Sequence, residues 1–302
     1  MPRRRRAVLA IAVLLVLFTT LSANAQSLET LTVIFLNVGQ GDAELLRGAD
    51  GFDALIDGGP PAAGPTVVAY LHQQGVDSLE VVVASHSDAD HIGGLVNVLE
   101  DTGVRVDALV LNGYTATSDT WGRLVAAANA RGLTPTLASY PDEYQWGNAA
   151  VHVLNPVPGL TNPDPNDASL VLRVDHGAVR LLFTGDISSE VEADVLARGT
   201  PVAADVLKVA HHGSGYSSSS AFLNAVGARD AVIEVGRNSY GHPAPSTLER
   251  LAQAGAVVWR TDQDGNVTLL SDGGGYRLSA QFTPAPPLWW FYLPAIQNQS
   301  PP

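Results

Sequence analysis

The chain has 302 residues, of which 46% are hydrophobic, and this composition excludes an intrinsically disordered protein. Its 17 basic residues, with Lys208 as the single lysine, are outnumbered by 30 acidic ones, which excludes a global electrostatic attraction for nucleic acid. Cysteine is absent from the chain, so disulfides, thiolate metal ligands and cysteine nucleophiles are excluded as well. One α/β domain of roughly 250 residues fits this length.

The N-terminus has the pattern of a secretory signal peptide. Arg3–Arg6 form a basic segment, residues 7–21 form an apolar one, and Ala23-Asn24-Ala25 has the small residues of a cleavage site. We therefore predict that residues 1–25 are a signal peptide and that the protein is exported. The alternative is an uncleaved N-terminal anchor, although an apolar segment of about fifteen residues is short for a membrane span.

The predicted fold begins with a β-hairpin and a third strand. Residues 31–36 and 43–46 form the hairpin, whose turn ends in Asp42, and residues 52–56 form a strand that is followed by Asp57. Turn chemistry alone accounts for both aspartates. Because each one lies at a strand end on the same expected edge, we also consider them as acceptors that support nearby metal ligands.

The densest group of chemically active side chains follows the next predicted strand, residues 80–84. Ser85–Gly94 reads SHSDADHIGG and precedes a predicted helix. Its four candidate ligands are His86, Asp88, Asp90 and His91. Two carboxylates this close repel each other unless a cation lies between them, and a divalent metal takes both neutral imidazole nitrogens and ionised carboxylate oxygens. The alternative is a polar loop in which an aspartate caps the helix.

The middle of the chain alternates strands and helices. We predict helices at residues 67–74, 95–100 and 120–130, and strands at residues 106–111, 133–137 and 149–154. A hairpin layer followed by βαβ units is typical of a layered α/β protein.

A second hairpin leads to another candidate ligand. Residues 155–167 are rich in Pro and Asn and form a loop, after which strands at 170–174 and 179–183 end near Asp186. This aspartate is either the N-cap of the following helix or a carboxylate that bridges two metal ions with one oxygen each.

The next predicted strand, residues 204–210, ends at His211 and His212. It is the third strand that delivers a candidate His or Asp metal ligand at its carboxyl end, as expected when a site lies along one sheet edge. His242 lies in a later loop and is either a substrate contact and proton donor or a buried histidine bonded to the backbone.

A hairpin closes the predicted domain, which spans residues 26–282. Its strands are residues 257–262 and 266–270. Residues 283–302 form a tail rich in Pro and aromatic side chains, which either docks on the domain or anchors to a partner or interface.

Six of these motifs, in this order, resemble the metallo-β-lactamase domain of the ComEC/Rec2 competence family. The segments that carry the resemblance are Asn37–Asp42, Ser85–Gly94, Asn166–Leu170, Thr184–Asp186, Leu207–Ser214 and Arg237–Pro243. The resemblance covers about residues 30–272 and implies a four-layer αββα metallo-β-lactamase sandwich with the site at one end of its two sheets. It also implies a two-metal hydrolase, and in competence proteins this domain is linked to degrading one DNA strand.

Two positions depart from the usual patterns. Asp88 stands where the commonest HxHxDH form of the superfamily has a second histidine, and Asn37 stands where this branch usually has aspartate. The oxygen-rich ligand set that results shifts the metal preference toward Mn²⁺, with Zn²⁺ as the other candidate.

With this resemblance in hand, we expect two divalent ions. The expected ligands are His86, Asp88, Asp90, His91, Asp186 and His211. His212 is the alternative to His211, and Asn166 and Asp167 lie in the region of the third histidine of lactamase-type enzymes. We expect Asp90 and His242 to act in catalysis, the first as a ligand and proton acceptor and the second on the substrate or leaving group.

The expected function is an exported metal-dependent hydrolase that acts on phosphodiesters, with nucleic acid as a candidate substrate. One alternative keeps the metals and changes the substrate to a lactam, a thioester or a phosphocholine-type ester. The other is a non-catalytic metal-binding module whose aromatic tail recruits a partner.

Overall fold

The computed structural model of the protein describes residues 30–160 and 164–282. The predicted signal peptide at residues 1–25 and the tail at residues 283–302 lie outside the described residues, as do residues 161–163 of the predicted loop. Within the described ranges, every helix is too short or too polar to span a lipid bilayer.

The described strands are, in chain order, β1 (Leu31–Phe35), β2 (Glu44–Gly48), β3 (Asp53–Ile56), β4 (Ser78–Leu79), β5 (Val81–Ala84), β6 (Arg105–Val106), β7 (Leu109–Leu111), β8 (Thr136–Leu137), β9 (Glu143–Trp146), β10 (Ala149–Asn155), β11 (Val171–His176), β12 (Val179–Phe183), β13 (Val206–Lys208), β14 (Asp230–Ile233), β15 (Val257–Arg260), β16 (Val267–Ser271) and β17 (Tyr276–Ala280). The described α-helices are α1 (Gly64–Gln73), α2 (Ala89–Glu100), α3 (Asp119–Ala130), α4 (Ser189–Ala197), α5 (Ser220–Val226), α6 (Pro245–Gln253) and α7 (Thr261–Asp264).

Two large sheets face each other. The first has eight strands in the order β17-β16-β1-β2-β3-β5-β7-β8, and the second has seven in the order β15-β14-β13-β12-β11-β10-β9. Strands β3, β5 and β7 run parallel in the first sheet, and β12 to β15 run parallel in the second. The carboxyl ends of parallel neighbours lie at one sheet edge, which is where ligands bind in α/β folds.

The alternation of side chains along each strand explains the layers. In β1, Val33 and Phe35 enter the core between the sheets, whereas Ile34 enters the core that the first sheet shares with α1, α2 and α3. Phe35 contacts Phe183 of the second sheet, with ring centroids 6.0 Å apart. The outer face of the second sheet packs against α4, α5 and α6. Both sheets are therefore apolar on both faces, and the αββα sandwich is confirmed.

The predicted closing hairpin is wrong. Strand β15 pairs in parallel with β14 in the second sheet, whereas β16 pairs antiparallel with β1 and β17 in the first. The short helix α7 and Gly265, which has a φ of 69°, carry the chain from one sheet to the other. A polar connection of a few residues is compatible with either path, so the sequence pattern did not distinguish them.

Other differences concern element ends. The predicted strand at 106–111 divides into β6 and β7, and the one at 133–137 shortens to β8. Helix α2 begins at Ala89, so Asp90 and His91 lie in its first turn rather than in a loop. Asp88 holds the N-cap position of α2, but its side chain makes no capping hydrogen bond. Capping chemistry therefore does not account for this aspartate.

Helix α2 lies unusually close to the segment that follows β3. A Cβ atom on Gly94 would lie 1.8 Å from the carbonyl oxygen of Gly58, and the Gly94 N–H donates to Gly59 at 2.9 Å. The Gly58 N–H in turn donates to the carbonyl of His91 at 2.7 Å. Glycine at position 94 thus lets the backbone of α2 approach this segment and sets the position of His91.

We predict that Gly94→Ala destabilises the fold by about 1–3 kcal/mol, because the new methyl group meets backbone atoms that cannot move aside. The matched control is Gly122→Ala in α3, where nothing lies within 4 Å of the added Cβ atom. That change should stabilise the protein by about 0.5–1 kcal/mol through helix propensity. Urea unfolding measures both, and equal effects of the two substitutions would contradict the close-approach argument.

Candidate metal centre

The candidate site lies where strands of both sheets end. Asp57 follows β3, His86 follows β5, and Asp186 follows β12. His212 follows β13 in a 3₁₀ turn at Ala210–Gly213, in which its φ is 51°. All four side chains are buried, so residues distant in sequence meet in a water-poor space between the sheets.

The ring of His91 is held by carboxylates on one side and faces another on the opposite side. Its Nδ1 lies 2.8 Å from Asp57 and 3.5 Å from Asp42, and its Nε2 lies 3.3 Å from the Oδ2 atom of Asp186. Burial favours the neutral ring, but the charges of Asp186, Asp42 and Asp57 raise its pKa well above the usual value. Asp57 thus orients His91, the supporting position considered from sequence.

His212 has a similar arrangement. Its Nδ1 lies 2.9 Å from the carbonyl oxygen of Glu234 and 3.2 Å from Asp42. Its Nε2 lies 3.4 Å from Asp186 Oδ2 and 3.3 Å from Asp90 Oδ2. Burial acts against the charged ring, but the negative charges of Asp186 and Asp42 raise its pKa to about 10. Both imidazoles therefore direct Nε2 at one carboxylate oxygen.

These distances fit a bound divalent cation. Four donors placed tetrahedrally at about 2.1 Å from one ion are separated from each other by about 3.4 Å. Here Nε2 of His91 lies 3.3 Å from Asp186, and Nε2 of His212 lies 3.3 Å from Asp90 and 3.4 Å from Asp186. Neither Nε2 atom has a hydrogen-bond partner in the described part of the chain, and buried polar atoms rarely stay unpaired.

Asp186 is at the centre of this group. Its own burial favours protonation, but the charges of His91 and His212 hold the pKa of its carboxyl well below the usual range. The helix that follows it, α4, has Ser188 rather than Asp186 at its N-cap. The alternative reading of Asp186 as a helix cap is therefore excluded by its position.

A second pair of donors lies beside the first group. His86 Nε2 is 3.9 Å from Asp88, and the His86 ring centroid is 4.1 Å from that of His91. Burial and the neighbouring His91 lower the pKa of His86 to about 3, so its ring is neutral and can offer a lone pair. Asp88 is partly exposed, and burial raises the pKa of its carboxyl.

The two adjacent histidines lie at different depths in the site. We expected His211 to complete the ligands of the ion held by Asp90 and His91, with His212 as the alternative, but His212 lies beside Asp90 and Asp186. His211 Nε2 lies 3.8 Å from Asp186, and 30% of its side chain is exposed. His211 therefore lies at the opening of the site, where its ring centroid is 5.4 Å from that of His242.

Asn166 and Asp167 make contacts away from the cluster. The carboxylate of Asp167 accepts from the Ser188 N–H at 3.3 Å, next to the start of α4, and its carbonyl accepts from Asn155 at 2.9 Å. The Asn166 N–H donates to Asp164 at 3.0 Å. These bonds shape the loop before β11, and they do not bring a third ligand of the lactamase kind to the site.

Sequence reasoning missed a buried cation under the site. Lys208 forms an ion pair with Asp42, donates to the carbonyl of Gly185 at 3.2 Å and lies 3.8 Å from Asp186. Burial by itself would lower the pKa of Lys208. The negative charge of Asp42, the strongest of several nearby carboxylates, outweighs burial and raises this pKa above its usual value. The sequence did contain an indication of this buried cation, because the only lysine of the chain lies inside an apolar predicted strand.

Ser85 and Glu234 were also missed. The Ser85 hydroxyl donates to Asp57 and lies 3.0 Å from Nδ1 of His86, so one carboxylate is connected to both His86 and His91. Glu234 accepts from the Ala43 N–H at 3.0 Å and uses its carbonyl to orient His212. Supporting contacts of this kind fix ring orientation, and they come from residues far apart in sequence.

Residues 36–237 match the family described as the Metallo-beta-lactamase superfamily. The chain belongs to this superfamily. Membership, together with the cluster of Asp and His side chains, places it among hydrolases with a candidate site for divalent metal ions.

The curated relatives include competence proteins. The chain is 31% identical over 205 residues to ComE operon protein 3 of Bacillus subtilis, covering 67% of this chain and 26% of that protein. It is 32% identical over 246 residues to the competence protein ComA of Neisseria gonorrhoeae, covering 80% and 32%. The chain thus spans about a quarter to a third of the length of these relatives.

A solved structure supports the same fold. The metallo-β-lactamase fold protein YhfI from Bacillus subtilis aligns with a TM-score of 0.53 at 13% identity, covering 80% of this chain and all of that one. The expected resemblance to the metallo-β-lactamase domain of competence proteins is confirmed.

We predict that His212→Ala lowers the affinity for Mn²⁺ or Zn²⁺ by about 100-fold or more, whereas the adjacent His211→Ala retains most of it. The reason is that only His212 lies within 3.4 Å of both Asp90 and Asp186. Metal content after gel filtration measures the difference, with circular dichroism to check folding. Loss of metal in His211→Ala alone would reverse the assignment.

We also predict that Lys208→Met destabilises the protein by about 3–5 kcal/mol, since it leaves the buried carboxylate of Asp42 without its cation. The double variant Lys208→Met/Asp42→Asn removes both charges and should recover part of that loss. Thermal or urea unfolding tests the pair. If the double variant is less stable than the sum of both single changes, the ion-pair interpretation is wrong.

Proposed function

We propose that the chain is an exported, metal-dependent hydrolase that cleaves phosphodiesters, with nucleic acid as its substrate class. The observation that carries the proposal is the group of Nε2 and carboxylate atoms around Asp186, which fits a divalent ion at an opening lined by further histidines. Bound divalent ions supply Lewis acidity and lower the pKa of water toward about 7.

The geometry supports a proposed set of ligands for these ions. The first position has the side chains of Asp90, His91, Asp186 and His212. The second would have His86 and Asp88, and we propose that Asp186 also serves as a ligand there. Because carboxylates supply about half of these donors, we propose Mn²⁺ or Zn²⁺ as the metals.

Other residues would act on water and substrate. The carboxylate of Asp90 is 35% exposed, so it can accept a hydrogen bond from a water molecule at the opening. His242 is half-buried, and its Nδ1 has no hydrogen-bond partner among residues 30–160 and 164–282. Burial lowers the pKa of His242, helped by His211. Its neutral ring can therefore donate one N–H to the substrate or to the leaving group.

Two considerations favour phosphodiesters over lactams. Asp88 replaces a histidine of the commonest ligand pattern, and the loop at Asn166 and Asp167 supplies no lactamase-type third histidine. The resemblance to the competence family, in which this domain is linked to degrading one DNA strand, also favours nucleic acid. Export rests on residues 1–25 and remains part of the proposal.

We expect the purified protein, loaded with Mn²⁺ or Zn²⁺, to hydrolyse bis-p-nitrophenyl phosphate and single-stranded nucleic acid, and to leave the lactam nitrocefin intact. Asp186→Ala should abolish this activity together with metal binding, because both metal positions use its carboxylate. Asp194→Ala, an exposed aspartate on α4, is the control and should keep full activity.

Three outcomes of these assays would contradict the proposal. Turnover of nitrocefin alone would assign the site to lactams, and absence of turnover with two bound ions would favour a binding module. Unchanged turnover in Asp186→Ala would remove that residue from the site.

A further inference from the structure

One loop at the opening of the site is shaped by a single side chain. The Oδ1 atom of Asn238 accepts from the backbone N–H groups of Tyr240, Gly241 and His242 at 3.0–3.1 Å. Its Nδ2 donates to the carbonyls of Gly236 at 2.9 Å and His242 at 2.8 Å. Five bonds to one amide fix the loop in this conformation before any ligand arrives, which reduces the entropy lost on binding.

This loop completes a row of rings that leads from the candidate ligands to solvent. Asp186 lies 3.8 Å from His211, whose ring contacts that of His242 edge-on at 5.4 Å. The ring of His242 in turn contacts that of Tyr240, with centroids 5.7 Å apart and planes 33° apart. Tyr240 therefore lies at the outer end of a continuous path that starts at Asp186, the proposed metal ligand.

The outer ring of the row is open. Tyr240 is 74% exposed, so its packing on His242 leaves most of its surface in water. An aromatic face held at a defined orientation can stack on a planar ring, and stacking on a base stabilises binding without sequence preference. Arg237, in the same loop, is exposed and forms no ion pair with the described residues. It can pair with a phosphate group.

We propose that Tyr240 stacks on an unpaired nucleobase of the substrate while the scissile phosphodiester lies at the centre, and that Arg237 contacts the phosphate of a neighbouring nucleotide. The inference rests on the proposed function and narrows it to single-stranded nucleic acid. A duplex keeps its bases stacked on each other, and a chain with 30 acidic and 17 basic residues has little charge with which to hold two phosphate backbones.

Two single-stranded oligonucleotides of equal length can distinguish contacts to bases from contacts to phosphates. One is oligodeoxythymidylate, and the other is an abasic oligomer with tetrahydrofuran in place of each nucleoside sugar and base. Tyr240→Leu should raise the dissociation constant and the KM for oligodeoxythymidylate about tenfold and leave those for the abasic strand unchanged. Tyr240→Phe keeps the ring and should match the wild type. Arg237→Gln should weaken the binding of both oligonucleotides to a similar extent.

The stacking proposal would be overturned if Tyr240→Leu weakened the binding of both oligonucleotides equally, or weakened the binding of neither. Dissociation constants measured by fluorescence anisotropy in EDTA do not depend on turnover. If Tyr240→Leu selectively weakens the base-bearing strand there, while the metal-loaded wild type cleaves neither strand, the stacking site stands and the proposed hydrolysis fails. The two proposals are thus distinguished by separate readouts.

Discussion

The structure depends on how one buried space accommodates several carboxylates. Asp42, Asp57 and Asp186 are all buried, and the carboxylate of Asp90 lies at their edge. Buried negative charges are costly unless cations or hydrogen-bond donors surround them. Lys208 compensates from below, and the imidazoles of His91 and His212 compensate from the sides. A divalent ion between their Nε2 atoms and Asp186 would replace the protons that those rings otherwise carry.

The topology of the αββα sandwich brings these carboxylates and imidazoles together. Each sheet ends several parallel strands at the same edge, and the two edges meet. The close approach of α2 through Gly94 then brings His91 between Asp57 of the first sheet and Asp186 of the second. Because the ligands come from both sheets, the site exists only when the layers are packed. Binding of a cation would therefore also stabilise the contact between the layers.

Sequence reasoning found the strand ends that carry His and Asp, because residue type and strand pattern are both local. It could not order His211 and His212, since which of two adjacent rings points inward depends on a backbone with positive φ at both positions. It paired β15 with β16, although the sheet that accepts each strand is decided by long-range packing. The role of Lys208 was not predicted, because it depends on Asp42, which is distant in sequence and pairs with it only in the folded chain.

The central claim is that loops from two sheets enclose divalent cations around Asp186. Anomalous diffraction from crystals grown with Mn²⁺, recorded at the manganese edge, tests it most directly. We expect an anomalous peak bonded to His91, His212, Asp90 and Asp186, and a neighbouring peak bonded to His86 and Asp88. A fully loaded crystal with its anomalous peaks elsewhere, and with Lys208 as the only cation near Asp186, would contradict the account.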